Sequence, residues 1–517
     1  MKTPREAFRE TMTRRQSLKL SGLALGGLAL GRRAAADCVE PSQPCYPTAD
    51  ETQRYSYYDS LPTIDYRQTP KPPGTVFSPP SDTPPLEPDE MRIIFMGSCI
   101  PPVRRAQAMM SIFVEVGWDE KTQRPLDHFI FDCGSGCVRN YGSMGVGFNR
   151  MDKIFVNHLH GDHMSDLTHI YCFGPSLDRL SPLYVWGPGP SGVRSPVPPY
   201  KRYSDGTKSF CQHLREALRW HSESFSFQNT SYKDFEPPTR RSWGLPHEPV
   251  PVSDDAEDDG FAMVPIQLDW RRVGGVAYDN RTTGVKVTHF PVIHCRRGSL
   301  GYKLEWNGLS MIYTSDTKPE YNTIIQAANG GVGVDVLVHE MIVPPEIWAM
   351  EASHYDRPIP KGANPAWDNA VNRMIQVQNS SHTPQGGFGY LLSQIHPRPR
   401  LTVATHFPVA DDTISCALRS VNKHCPDISA DIGKLGEQAL TWSFDLMVLR
   451  VRPGRPIEKL RAQVNEFGFS PIYTGPKAED LNTPRYHDAN GDGDPFAQID
   501  TSASIVPGAD TYCEDGY

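Results

Sequence analysis

Short apolar runs, each stopping at a polar or glycine-rich turn, recur through residues 91–450. Arg92–Met96 is apolar after its first residue and stops at Gly97. Ser111–Gly117 alternates, with Ile112, Val114 and Val116 on one face. His128–Phe131 leads into Asp132-Cys133-Gly134-Ser135-Gly136, and Lys153–Val156 leads into a histidine-rich loop. Runs of this length and β-branched content predict strands. The same signal returns in Val285–Val292 before His294, Leu309–Thr314 before Asp316, Val334–Val338 before His339-Glu340 and Leu401–Ala404 before Thr405-His406. Asn307-Gly308 reads as a hairpin turn, and Trp442–Val451 as one closing strand. Strands that pass through glycine-rich turns into helices predict a layered α/β domain.

Other segments break the pattern. Nine prolines fall from Pro62 through Pro88, so residues 37–90 read as an extended arm or linker. Residues 190–280 read as an insertion, with Pro196-Val197-Pro198-Pro199, an aromatic stretch from Trp220 to Phe227 and a solvated acidic run at Asp254–Asp259. Trp220 and its Phe neighbours are candidate aromatic contacts there, although packing is the commoner use. Residues 451–517 read as a turn-rich tail. Within it Asp488-Ala489-Asn490-Gly491-Asp492-Gly493-Asp494 opens like a calcium loop but has Ile499 where a chelating Glu is expected.

The N-terminus changes the compartment. Thr13-Arg14-Arg15-Gln16-Ser17-Leu18-Lys19, a weakly apolar stretch from Ser21 to Gly31 and Ala34-Ala35-Ala36 resemble a twin-arginine export signal over residues 1–36. The expected location is periplasmic or secreted. The chain's formal charge is −8. Without those 36 residues 44 Lys/Arg face 58 Asp/Glu, a net of −14. A polynucleotide binder needs a basic footprint, which this total does not supply; a small-molecule ester substrate suits the balance better. No segment reads as a membrane span, and the oligomeric state is not written in the sequence. The eleven cysteines have no CxxC spacing, so a pairing such as Cys38 with Cys45 stays open. Cys133, Cys137 and Cys295, beside the motifs, read equally as bridges or as small buried residues.

The chemistry concentrates in His158-Leu159-His160-Gly161-Asp162-His163. Imidazoles and a carboxylate are ligands for zinc and similar ions. A tight loop can aim alternate side chains at one ion and the rest at a neighbour. Every later apolar run also ends in a potential ligand, and in open α/β sheets chemistry gathers beyond the carboxyl ends of the strands.

Order and spacing of several segments complete a likeness. They are Phe95–Pro101, Phe131–Gly136, Ile154–His163, Val292-Ile293-His294, Tyr313–Thr317, His339-Glu340-Met341, Ser381-His382-Thr383 and Thr405-His406-Phe407. Together they resemble metallo-β-lactamase-fold hydrolases, in the branch of ribonuclease Z-like phosphodiesterases and their arylsulfatase relatives. The resemblance spans roughly residues 91–450 and implies a four-layered αββα sandwich with two divalent metal ions at one edge. Zinc is the first expectation, with manganese or iron as alternatives. Carried over, His158, His160 and His294 would hold one ion, Asp162, His163 and His406 the other, and Asp316 would bridge them. Asp132 would orient a ligand imidazole or cap its strand. Asp162, His382 and Glu340 form the expected catalytic set, with His382 donating a proton to the leaving oxygen and Glu340 orienting it. His339 and His354 are weaker pocket candidates.

The implied activity is hydrolysis of phosphodiesters or sulfate esters by water activated between two metals. A lactone, thioester or β-lactam hydrolase of the same fold and a non-catalytic metal-containing envelope protein are the alternatives. Ribonuclease Z enzymes commonly carry a long tRNA-clamping arm between the third His motif and the bridging Asp; here that interval is residues 295–315. That shortness argues against tRNA as the substrate.

Overall fold

The computed structural model describes residues 61–67, 84–222, 260–355, 357–408, 414–426, 428 and 438–464. The export signal, most of the Pro-rich arm, the acidic run and the Asp-rich C-terminal loop lie outside the described residues.

Two sheets form in chain order. The first takes β1 (Thr63–Asp65), β2 (Met91–Gly97), β3 (Ser111–Val116), β4 (Asp127–Phe131), β5 (Lys153–Phe155), β6 (Leu183–Pro188) and β7 (Met263–Leu268). The second takes β8 (Gly275–Asn280), β9 (Val285–Pro291), β10 (Leu300–Trp306), β11 (Leu309–Tyr313), β12 (Val336–Glu340), β13 (Leu401–Thr405) and β14 (Leu440–Trp442). The chain then returns to the first sheet with β15 (Met447–Val451) and β16 (Glu458–Gln463), giving the order β1-β16-β15-β2-β3-β4-β5-β6-β7 against β14-β13-β12-β11-β10-β9-β8.

Strand period 2 explains the layers. In β2 and β3 Ile93, Phe95, Ile112 and Val114 face one way and meet Val287, Tyr302, Met311 and Val338 of the other sheet. Ile94, Met96 and Phe113 face the opposite way, toward α1 (Cys137–Ser143), α2 (Gly161–Met164), α3 (Leu167–Leu177) and α4 (Thr207–Ala217). The second sheet's outer face packs through Ile312, Leu337 and Ala404 on α5 (Tyr321–Ala328), with α6 (Pro345–Ser353) and α7 (Pro365–Ser381) pairing alongside. Two further helices, α8 (Gln385–Gln394) and α9 (Ile414–His424), complete that outer layer. The result is the expected four-layered αββα sandwich. Strands covered on both faces read as continuous apolar runs, which is why they stand out in the sequence.

The weaker strands did not stand out. β7 lies inside the stretch read as an insertion and contains Pro265; it is a sheet edge, where a missing N–H is tolerated. β8, half exposed, and β16, rich in charge, lack an apolar run, and β16 lies beyond residue 450. The expected hairpin is present: β10 and β11 pair across Asn307 and Gly308, with φ of 49° and 75°.

The single closing strand expected over Trp442–Val451 is a correction. β14 ends at Trp442 in the second sheet, and β15 starts at Met447 in the first. Between them Ser443-Phe444-Asp445-Leu446 crosses from sheet to sheet, with Leu446 at φ 67°. Asp445 fastens the crossing. Its carboxylate accepts from Ala108 N at 2.6 Å, Ser98 Oγ at 2.8 Å and Asn140 Nδ2 at 2.7 Å. Ser98 O in turn accepts from Phe407 N at 3.2 Å, so the crossover supports the end of β13.

Asp445→Ala strands those donors in a nearly buried place. We expect a loss of about 2–4 kcal/mol, read as a lower urea midpoint. An unchanged midpoint would show that the crossing is held by something else.

Candidate metal centre

β4 to β7 run parallel, as do β11 to β14, and β9 shares the direction of β11 through two antiparallel pairings. The carboxyl ends of β5, β9, β11 and β13 therefore deliver His158, His294, Asp316 and His406 to one edge of the sandwich. His160, Asp162 and His163 follow on the loop and first turn after β5. All seven side chains converge, in two groups of ligand atoms. His158, His160 and His294 make one, and Asp162, His163, Asp316 and His406 make the other.

Asp316 stands between the groups. Its Oδ1 is 3.2 Å from His163 Nε2 and 3.4 Å from His406 Nε2. Its Oδ2 is turned the other way, 3.8 Å from His294 Nε2. Asp162 Oδ2 lies 3.3 Å from His163 Nε2 and 3.4 Å from His406 Nε2. In the first group His294 Nε2 is 3.1 Å from His160 Nδ1.

Hydrogen bonds set which nitrogen each imidazole presents. His158 Nδ1 donates to Asn157 Oδ1 at 2.9 Å, and Asn157 Nδ2 donates to Thr314 O at 2.9 Å, which fixes the amide's orientation. His294 Nδ1 donates to Ser381 O at 2.8 Å. His163 Nδ1 donates to Asp132 Oδ2 at 2.8 Å. The Nε2 lone pairs are left facing inward. His158 Nε2, His163 Nε2 and Asp316 Oδ1 are buried with no hydrogen-bond partner. Lone pairs of imidazole and carboxylate pointing at one another repel unless a cation lies between them, so the donor set fits two divalent ions.

The electrostatics agree. Burial works against charge on His163, yet the carboxylates of Asp316, Asp162 and Asp132 hold its proton affinity well above the ordinary imidazole range. His406 is treated the same way, raised to about 10 against burial by Asp316, Asp162 and Glu340. His158 goes the other way: burial and the neighbouring His163 keep it neutral, the state a ligand needs.

Asp132 is fully buried and accepts four hydrogen bonds. Oδ1 takes Asn157 N at 2.8 Å, and Oδ2 takes His163 Nδ1 at 2.8 Å, Tyr313 Oη at 2.7 Å and Ser315 Oγ at 2.9 Å. It orients a ligand imidazole and ties the first sheet to the second. Gly134, two residues on, has no room for a Cβ because the Asp162 backbone crosses there. Asp132, Ser315 and His406 have φ of 58°, 53° and 59°, left-handed values that non-glycine residues avoid. Backbone held this way clusters where geometry outranks comfort.

The proposed acid and its partner meet beside the second group. His382 Nδ1 lies 2.9 Å from Glu340 Oε2 and 3.9 Å from Asp316 Oδ2. Glu340 is completely buried, accepts from Thr317 N, and has Oε2 3.5 Å from His406 Nδ1. His339 is on the opposite face of β12. Its Nδ1 bonds to Glu340 O at 2.7 Å and its ring sits 5.6 Å from Phe388, away from the centre. His354 is exposed at the end of α6 and joins none of the ligand groups found among the described residues. Trp220 is 84% exposed and does not line the cavity beside the histidines; Ser191, Asp205, Arg296 and Arg297 do. Cys133 and Cys137 are buried free thiols and Cys295 an exposed one. The roles of Asn157, Tyr313 and Ser315 escaped the sequence reading, although each stands inside a quoted motif. A polar residue directly at the end of an apolar run was the available signal.

No family model matches the chain. Ribonuclease BN of Escherichia coli O139:H28 is 31% identical over 104 residues, 20% of this chain and 32% of that protein. Ribonuclease BN of Citrobacter koseri is 30% identical over 104 residues, again 20% and 32%. The chain thus spans about a third of the length of the curated relatives it matches. Among solved structures, the metallo-β-lactamase fold protein YhfI of Bacillus subtilis aligns with a TM-score of 0.40 and 13% identity, over 70% of this chain and 100% of that one. Human tRNase Z, short form, aligns with a TM-score of 0.38 and 17% identity, over 69% and 98%.

Two substitutions probe the centre without any assay of turnover. Asp316→Ala should lower bound metal to one ion or fewer per chain by elemental analysis. Asp132→Asn should weaken metal affinity by about 10–100-fold in competition with a chromogenic chelator. Wild-type affinity in Asp132→Asn would remove Asp132 from the ligand-orienting role.

Proposed function

We propose that the chain is an exported, dinuclear metal-dependent hydrolase that cleaves phosphodiesters or sulfate esters of small substrates. The observation that carries this is Asp316, whose two oxygens face two separate donor groups while a buried His–Glu pair stands alongside. His158, His160 and His294 would hold one ion and Asp162, His163 and His406 the other, with Asp316 shared. Nitrogen and oxygen donors suit zinc, with manganese or iron as alternatives. Bound there, such ions supply Lewis acidity, lowering the pKa of water from about 15.7 to about 7 and drawing off developing negative charge. The export reading rests on the twin-arginine-like residues Arg14 and Arg15 and the small-residue site at Ala34-Ala35-Ala36.

The residues then divide the remaining work. Pairing of His382 Nδ1 with Glu340 leaves Nε2 for a substrate oxygen. Burial disfavours the imidazolium, but Glu340 and then Asp316 outweigh it and raise the His382 pKa above the ordinary value. Placed beside the donor groups with Nε2 free for a substrate oxygen, His382 would hand a proton to the departing alkoxide or phenolate. Glu340 stays ionised despite complete burial, because His382 faces it and Thr317 N–H donates to it. His382 and Glu340 act as a unit: one moves the proton, the other holds the ring and stabilises its charge. A nucleophilic serine or cysteine has no part in this scheme.

Elemental analysis of the exported protein and a screen over bis-aryl phosphates, cyclic nucleotides and aryl sulfates test the proposal. Asp316→Ala should abolish turnover, and full activity in that variant would refute it. His382→Ala should slow esters with poor leaving groups by about 10²–10⁴-fold, and p-nitrophenyl esters far less, since p-nitrophenolate leaves without a proton. Equal losses on both would argue against a proton donor.

A further inference from the structure

A cavity of about 90 Å³ opens beside the first donor group. His158, His160 and His294 form one side, and residues from two other segments form the rest. One is the loop after β6, through Ser191 and Asp205; the other is the turn after His294, through Arg296 and Arg297. This is room for about three waters, or for one small oxyanion.

The wall is braced. Asp205 accepts from Ser191 N at 2.9 Å and from Ser191 Oγ at 2.7 Å, which closes the base of the loop. Trp270 Nε1 donates to Pro190 O at 3.1 Å, and Thr207 Oγ1 to Pro188 O at 3.0 Å. Arg296 joins this brace. Its guanidinium is 2.5 Å from Asp205 Oδ2, donates to Ser191 Oγ at 3.2 Å and lies over the Tyr203 ring at 5.5 Å. Asp205 and Arg296 neutralise each other.

Arg297 is different. No hydrogen bond, ion pair or ring contact engages its guanidinium among the described residues, and it lines the same cavity as the three histidines. With its neighbour's charge cancelled, it leaves a net positive wall. A guanidinium with five uncommitted donors matches the oxygens of phosphate, sulfate or carboxylate.

We propose that Arg297 binds an anionic group of the substrate, so that the preferred ester carries a second negative charge next to the scissile one. This rests on the hydrolase reading and names the substrate class within it. Arg297 is a specificity-determining residue: it holds the non-reacting end and acts on KM rather than kcat. Arg296 is a positioning residue for the wall.

Two measurements separate this inference from the hydrolase reading. In the first, inorganic phosphate and inorganic sulfate are titrated calorimetrically into the protein as purified. Arg297→Ala should weaken binding of at least one by about tenfold, Arg297→Lys should retain most of it, and Arg281→Ala, an exposed arginine in the β8–β9 turn, should match wild type. In the second, esters with and without an extra phosphate or carboxylate are compared. Arg297→Ala should raise KM by about tenfold for the former only, with kcat unchanged. Unaltered anion binding in Arg297→Ala, an equal loss in Arg281→Ala, or KM values shifted alike for both esters would overturn the subsite. Weakened anion binding in a protein that hydrolyses no ester would support the subsite and sink the hydrolase reading instead.

Discussion

The carboxylate of Asp132 is the constraint on which the edge of the sandwich depends. It sits at the end of β4 with no solvent exposure and four donors around it. Two of those donors come from the other sheet's side, Tyr313 at the end of β11 and Ser315 just beyond it. A polar group buried without such partners would cost several kcal/mol, so the arrangement that supplies these donors is favoured at this edge. The same Oδ2 that joins the sheets accepts a hydrogen bond from His163 Nδ1. One carboxylate thus serves both the sheet contact and the orientation of His163.

A second constraint is electrostatic. Asp162, Asp316 and Glu340 all lie within 3.5 Å of a ring nitrogen of His406, and Asp316 and Glu340 are buried. Alone they repel, and the buried imidazoles relieve this only by holding extra protons, as the raised affinities of His163 and His406 express. Two divalent cations held there would resolve the conflict without those protons. Left-handed backbone at Asp132, Ser315 and His406 is a local cost that the packed strands around them offset. Asp445 holds the neighbouring corner, so that the loop beside His406 is supported from the crossover between sheets.

The outer wall follows other rules. Around Ser191, Asp205 and Arg296 the structure is made of loops clasped by side chains, and Arg297 lines the cavity beside them. Strand ends carry the donor groups; loops shape the cavity beside them.

Much of this was legible in the chain. Uninterrupted apolar runs such as Ile93–Met96 and Val336–Val338 announce strands covered on both faces, and a histidine or aspartate directly after such a run announces an edge where ligands gather. The resemblance carried by these segments named the seven converging residues, because period and spacing are local properties. What stayed hidden was whatever depends on partners distant in sequence. The edge strands β7 and β8, and β16 between β1 and β15, are recognisable only from the sheets they join. Trp442–Val451 looks continuous, yet it splits between sheets because Asp445 finds donors at Ser98, Ala108 and Asn140. His339 and Glu340 are neighbours in the chain with opposite fates, since successive side chains of a strand point to opposite faces and only the packed sheet says which face holds the site. The sequence by itself determined most of the buried strands and the donor residues that follow them. Tertiary structure alone decided which donors share a centre, because that choice is made by hydrogen bonds and packing between residues far apart in the chain.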